Sequence, residues 1–245
     1  MSLNPLDRLR GTSYTAISLF EHQHGFVAGV QYGLGPVPAA ALSILEPAER
    51  DAGVTHGSTG FAEFVGGRLA LRAALMSLPR PPEVVGALLR TTRGAPMPPP
   101  GFVASVTHKA GLALGLAAAD SGQQVGVDLE ALEPERMQLA RRILRDDEIR
   151  DVDLAARELR WQEVLIRFSV KEAVYKAVDS CMVGHELDFK TISVHEAVQE
   201  PIVDGFRVAA VALHGAASLT GISVEASYRV FGGYIIATAK AFPRS

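Results

Sequence analysis

Cysteine is nearly missing from this chain: Cys181 is the only one in 245 residues. That excludes an intramolecular disulfide and any cysteine-rich zinc site, and it fits a reducing compartment. Excess positive charge is missing too. The formal net charge is −3, so no global basic field draws in nucleic acid or an anionic membrane. An anionic ligand therefore has to be met by a local cluster. No apolar run is long enough to span a membrane, and the N-terminal MSLNPLDRLRGTSYTAISLF lacks the apolar stretch of a signal peptide. A cytoplasmic protein is expected. Internal repeats and low-complexity tracts are also missing.

What is present is the composition of a globular protein, with 48% apolar and 21% charged residues. The length accommodates one ordinary domain or two small ones packed together. Four prolines in RGAPMPPPG (93–101) predict an extended loop. Ahead of it, 60–78 carries apolar residues at Phe61, Phe64, Val65, Leu69 and Leu71, with Ser58 and Thr59 as caps and Pro79 as a stop, which predicts a helix. Arg68 and Arg72 share one face of it. Behind the loop, VASVT (103–107), LALGLAAA (112–119) and QVGVDL (124–129) read as strands separated by HKAG and DSGQ. Turns this short predict a single antiparallel meander, which would bring His108 and the pair Asp128/Glu130 to one sheet edge. Residues 135–150 are amphipathic and basic at the centre, 155–178 read as a long helix, and 190–241 read mainly as strands, with SYRVFGGYIIATA (227–239) the strongest. The expected fold class is α+β, with a boundary near residue 122 dividing two similar halves, 1–122 and 123–245.

Three segments carry chemistry. In GVDLE (126–130), strand alternation sends Val127 and Leu129 to the core and puts Gly126, Asp128 and Glu130 on the other face. Two carboxylates on one face repel unless a cation lies between them, and oxygen-only ligands suit a hard ion such as magnesium. Solvated acids at a strand end are the bland alternative. In FSVKEAVYKA (168–177), apolar residues run nearly all round the helix, so it is largely buried, yet it contains Lys171, Glu172 and Lys176. Charges buried without partners cost several kcal/mol. Glu172 and Lys176 are spaced to pair with each other, and Lys171 still needs an anion; a bound phosphate and metal would satisfy all three. In SVTHKAG (105–111), the Thr107 hydroxyl, His108 and nearby N–H groups are suited to hold phosphate. Arg68, Arg72, Arg90 and Arg93 add guanidinium forks of the kind that grip phosphate oxygens, although any single one also reads as a solvated surface arginine.

THK, GVDLE and FSVKEAVYKA, in this order and spacing, resemble the surfactin-activating type of 4'-phosphopantetheinyl transferase, and EFVGGRLALRAAL with RTTRGAP resembles its enterobactin-synthase component D branch. The resemblance spans roughly residues 60–240. It implies a pseudo-dimer of two similar α+β halves with the cofactor in the cleft between them. It implies an enzyme that moves the 4'-phosphopantetheine arm of coenzyme A to a serine of an apo acyl or peptidyl carrier protein, with magnesium as cofactor and 3',5'-ADP as the second product. Asp128, Glu130 and Glu172 match the magnesium ligands. Lys176 matches the lysine at the reacting phosphate, and Lys171 a second one, so Glu172, Lys176 and Lys171 form the expected catalytic group. Thr107, His108, Arg68, Arg90 and Arg93 match coenzyme A phosphate contacts, with Asp128 and Lys176 at the pyrophosphate. Glu172 is the candidate base for the serine, directly or through a water. Carriers of fatty acid, polyketide or non-ribosomal peptide synthesis, including secondary metabolite pathways, are the implied partners of a monomeric enzyme. The basic stretch 135–150 after GVDLE reads as a helix starting at Glu135, and with Arg136, Arg141, Arg142 and Arg145 beside Met137 and Leu144 it is the candidate carrier surface; a solvated helix whose arginines pair with Asp146, Asp147 and Glu148 is the equal alternative. Pro98, Lys109 and Gly60 stand where relatives often have tryptophan, cysteine and arginine; the last leaves Arg72 as a further candidate for the phosphate clamp. The rival functions are a magnesium-dependent pyrophosphate hydrolase and a non-catalytic coenzyme A-binding protein.

Overall fold

Alternating strands and two long, largely apolar helices give the chain two separate cores. In a computed structural model, residues 5–55, 57–179, 188–196, 205–215, 219 and 221–243 are described; Cys181 falls outside them. The chain forms two compact units, Met1–Ser121 and Gly122–Ser245.

The first unit opens with a 3-10 turn and the hairpin β1 (Tyr14–His22) and β2 (Gly25–Tyr32), then short helices α1 (Ala39–Leu42) and α2 (Pro47–Val54), the long α3 (Gly57–Met76), and β3 (Phe102–Lys109) and β4 (Leu112–Ala119). The antiparallel sheet has the order β1-β2-β4-β3. Helix α3 lies against it and is buried on almost every side from Ala62 to Leu75, which is why its sequence shows no polar face. Gly115 of β4 allows this closeness, since a Cβ there would lie 2.5 Å from the Leu71 backbone. The Tyr14 hydroxyl donates to the Ala62 carbonyl at 3.1 Å, and burial pushes its pKa up to about 12, so it remains a donor. The prolines of 96–100 lie in irregular structure, pinned by a bridge between Arg90 and Pro96.

The second unit contains β5 (Gln124–Ala131), α4 (Ala140–Ile143), α5 (Asp146–Leu154), α6 (Arg160–Asp179), β6 (Ile192–Glu196), β7 (Arg207–Leu213), β8 (Ile222–Phe231) and β9 (Tyr234–Pro243). Its antiparallel sheet has the order β5-β9-β8-β7-β6, and α6 packs on it through Val164, Val170, Ala173, Val174 and Ala177 against alanines 226, 237, 239 and 241.

Three expectations are corrected here. The three strands after the proline loop are not one meander: β3 and β4 belong to the first sheet and β5 to the second. Both edges of β4 are taken, by β3 and by β2, so β5 has nothing to pair with there and pairs with β9 instead. His108 and Asp128/Glu130 thus do not share a sheet edge. Residues 135–150 are not one helix either. Leu144 and Arg145 are extended, and the Glu148 carboxylate accepts the Arg145 N–H at 2.8 Å, starting α5 anew with acids in its first turn. Finally, 227–239 is a hairpin, because Gly232 and Gly233 take φ of 57° and 83°, the conformation a tight two-residue turn demands.

Gly126 on β5 meets α6 more closely than any side chain permits: a Cβ would lie 1.9 Å from the Ala173 carbonyl oxygen. Gly126→Ala is expected to destabilise the protein by about 2–3 kcal/mol or more by forcing α6 away from β5. Gly35→Ala, where no atom lies within 4 Å of the added Cβ, is the control. Equal urea midpoints for the two variants would refute the packing.

Candidate active site

Asp128, on β5, is only 4% exposed, and a carboxylate so deeply placed needs strong partners. It has them on α6. The Ser169 hydroxyl donates to Oδ2 at 3.0 Å and the Lys176 ammonium to Oδ1 at 2.7 Å. Lys176 also donates to the Val127 carbonyl at 3.0 Å. Its partner is therefore Asp128, across the strand–helix seam, rather than Glu172 one turn back. Ser169, Glu172 and Lys176 follow one another along a single face of α6, and Glu172 is half-buried there. Strand alternation holds, but it is the Gly126–Asp128 face that meets α6. Val127 and Leu129 are buried on the opposite face, so β5 has no solvated side along this stretch. Glu130 follows on the face of Asp128 and is half-buried.

The expected magnesium ligands Asp128, Glu130 and Glu172 thus lie on two elements in direct contact, and the donor set is all-oxygen, as a hard cation requires. Among the described residues, however, no three His, Cys, Asp or Glu side chains converge closely enough to hold a metal ion. In this arrangement Lys176 supplies the charge that balances Asp128.

Lys171 differs most from expectation. It points away from Asp128, is 0% exposed, and forms an ion pair with Glu148, also 0% exposed, at 2.6 Å. Its other two protons go to the carbonyls of Ile143 at 2.9 Å and Phe189 at 3.2 Å. The anion that the sequence required for Lys171 is therefore a side chain of α5, and all three ammonium donors are used. Burial pulls the Lys171 pKa below its usual value and Glu148 pulls it back up. Its assignment to the catalytic group is corrected accordingly.

The first unit gathers several of the basic candidates around Phe64 on α3. The Arg68 guanidinium lies 4.5 Å from the ring centre and that of Arg90 lies 5.3 Å from it. Arg68 is 1% exposed, and its Nε and one terminal nitrogen have no hydrogen-bond partner. Burial and then the nearby Arg90 push its pKa down to about 10, so it stays charged at neutral pH. Buried guanidinium N–H groups without acceptors are unfavourable, and an incoming anion would relieve them. On the neighbouring strand, Thr107 is 7% exposed, and His108 Nδ1 lies 3.8 Å from Glu63 Oε2, which places the imidazole beside the same stretch of α3. Arg93 is exposed on the turn closed by Gly94 and Thr91.

Arg72 is removed from the phosphate candidates. Its guanidinium donates to Glu49 Oε2 at 2.6 Å and to the Gly86 carbonyl at 3.0 Å, and Glu49 is completely buried. Sequence reasoning missed Glu49, Glu148, Ser169 and Phe64. Only Ser169 had a readable signal, its place one turn before Glu172.

Comparison with known proteins matches stretches of both units to one family. Residues 124–239 match the model of the 4'-phosphopantetheinyl transferase superfamily, and residues 61–118 match the 4'-phosphopantetheinyl transferase N-terminal domain. The chain is 32% identical over 196 residues to the 4'-phosphopantetheinyl transferase Svp of Streptomyces mobaraensis, covering 74% of this chain and 77% of that protein. The chain belongs to the 4'-phosphopantetheinyl transferase superfamily. As a phosphopantetheinyl transferase it moves the phosphopantetheine of coenzyme A to carrier proteins. Among solved structures it is similar to the holo-[acyl-carrier-protein] synthase of Thermotoga maritima, with 24% identity, a TM-score of 0.38 and coverage of 49% of this chain and 63% of that one. It is also similar to a Chronobacterium ammoniagenes acyl-carrier-protein synthase–coenzyme A complex, with 22% identity, a TM-score of 0.40 and coverage of 50% and 98%. No described helix of this transferase is long and apolar enough to cross a membrane.

The Glu49–Arg72 pair gives a stability prediction. Arg72→Met leaves the Glu49 carboxylate buried and unpaired, and is expected to cost about 3–5 kcal/mol. Glu49→Gln combined with Arg72→Met should recover most of that loss in denaturant titration. A double variant no more stable than the single one would contradict the pairing.

Proposed function

We propose that this transferase acts on the pyrophosphate of coenzyme A with the carboxylates of its second unit and the arginines of its first. The observation that carries the reading is the buried Asp128, bonded at once to Ser169 and Lys176 of α6. A carboxylate and an ammonium held this close at a strand–helix seam can serve a metal on one side and a phosphate on the other. Drawn in toward Asp128 from the separated positions they take here, Glu130 and Glu172 would with it hold magnesium, which when bound neutralises pyrophosphate charge and that of the leaving group. Lys176 reaches 27% side-chain exposure and is the group placed to follow charge developing on the departing phosphate oxygen. The carrier serine oxygen forms a bond to the phosphorus that bears pantetheine, the pyrophosphate P–O bond breaks, and 3',5'-ADP leaves. Glu172 accepts the serine proton, directly or through one water. Arg68 and Arg90, with Thr107 and His108, would hold the remaining phosphate charge, and Arg93 adds an exposed guanidinium.

Asp128→Ala, Glu130→Ala and Glu172→Gln are each expected to lower transfer more than about 100-fold, with intact mass of an apo-carrier as the readout. Chelation should abolish transfer and magnesium restore it. Full activity in metal-free protein would remove the metal from the reading, and loss of coenzyme A without carrier modification would favour a hydrolase.

For the carrier we propose the segment of α4 and the start of α5. Met137, Ala140, Leu144, Ile149 and Val152 line a cavity of about 430 Å³ together with Gln138, Arg141 and Asp153, and Arg136 and Arg142 are exposed on the same segment of chain. An apolar depression on a segment with Arg136, Arg141 and Arg142 exposed fits an acidic, partly apolar helix such as the family resemblance implies for carriers. Arg145 is already committed to the Lys190 carbonyl and Asp147, so the charges to reverse are Arg141 and Arg142. Arg141→Glu with Arg142→Glu should raise the carrier KM about tenfold or more at low salt and leave coenzyme A affinity unchanged. Unchanged carrier kinetics would place docking elsewhere.

A further inference from the structure

We infer that the buried Glu148–Lys171 pair is a positioning device that fixes the carrier-docking segment to the helix bearing Glu172 and Lys176. The inference rests on the carrier surface proposed above. Every polar atom of the pair is used, and each bond ties a different stretch of chain. Glu148 Oε2 accepts from Lys171 of α6 at 2.6 Å and from the Arg145 N–H at 2.8 Å. Its Oε1 accepts from the Val194 N–H of β6 at 2.8 Å. Lys171 donates onward to the carbonyl of Ile143, the last residue of α4, and to that of Phe189. The Phe189 ring in turn packs at a tilt against Phe168 at 5.8 Å and Tyr175 at 6.3 Å, both on α6.

The backbone between α4 and α5 is extended at Leu144 and Arg145. That break leaves carbonyls and N–H groups without helical partners, and the pair supplies one of each: Lys171 caps the Ile143 carbonyl and Glu148 the Arg145 N–H. Apolar contacts alone would let a four-residue helix slide. Directed bonds from two buried charges do not, because any shift leaves a charge unpaired in a dry interior. Lys171 directly precedes Glu172 in sequence, so the register of the docking segment is set from the element that carries the proposed base. A carrier seated on Arg141 and the half-buried Met137 would then be registered against Glu172 without either residue of the pair touching substrate.

The test is the double variant Glu148→Gln with Lys171→Met, which removes both charges and leaves no orphan ion. Two readouts are used. Hydrogen exchange of amides 141–149 should lose at least tenfold in protection while amides of α3 are unchanged, a result that does not depend on any assay of activity. In transfer assays the carrier KM should rise about tenfold while the dissociation constant for coenzyme A stays within twofold of the parent, a split that general loss of stability would not give. Lys171→Arg, which keeps the charge, should recover most of the carrier KM. If the double variant does not fold, Glu148→Gln alone, which retains an oxygen acceptor, carries the same comparison. Parent-like protection of 141–149, or a parent-like carrier KM in a folded variant, would overturn the inference. Failure of the parent itself to modify a carrier would instead refute the proposed function, and the exchange result would still decide the positioning claim.

Discussion

The close approach of β5 to α6 is the constraint on which the second unit depends. A hydrogen atom at Gly126 lets the strand rest against the carbonyl of Ala173, and that contact sets how far every later residue of β5 stands from the helix. One strand alternation further on, Asp128 lands within hydrogen-bonding distance of Ser169 and Lys176. The first unit repeats the device: Gly115 of β4 lies against Leu71 of α3. In both, a glycine on a strand brings a long helix close, and the functional candidates cluster along that helix.

Among the described residues, buried charges follow one rule with one exception. Asp128 has Lys176, Glu148 has Lys171 and Glu49 has Arg72, each at 2.6–2.7 Å. Paired and hydrogen-bonded, such groups specify geometry more than they add stability. Arg68 is the exception: it is as buried as the others, yet its neighbours are the face of Phe64, a second guanidinium and a carboxylate already claimed by Arg72. Spacing along the sequence cannot tell a buried charge that meets an ion-pair partner from one that packs on an aromatic ring.

Much of the architecture was legible because it follows from local patterns. The helix around Arg68, the strands on either side of HKAG, the proline loop and the buried character of FSVKEAVYKA all rest on periodicity or breakers within a short window. Failures came where the deciding partner is remote. Whether QVGVDL joined the preceding strands depended on β2, in a stretch that gave little signal, and on β9 at the far end of the chain. The fate of Lys171 depended on Glu148, whose sequence context reads as an ordinary acidic helix start. Family motifs named Asp128, Glu130, Glu172 and Lys176 as candidates before any geometry, and the structure puts them on β5 and α6, two elements in contact.

The sheet order carries a consequence for how the protein is made. Strand β5 occupies an edge, and among the described residues its strand partner is β9, with Gln124 opposite Ala241. On a ribosome the whole of the first unit is available to fold while β5, with its two acids, emerges without its partner. It must stay unpaired until nearly all of the second unit has been synthesised, and pairings so distant in sequence form slowly. The chain would thus complete the unit that carries its arginine cluster early in synthesis and pair its carboxylate strand last, so that a nascent or truncated form ending before Tyr234 would contain β5 without its strand partner.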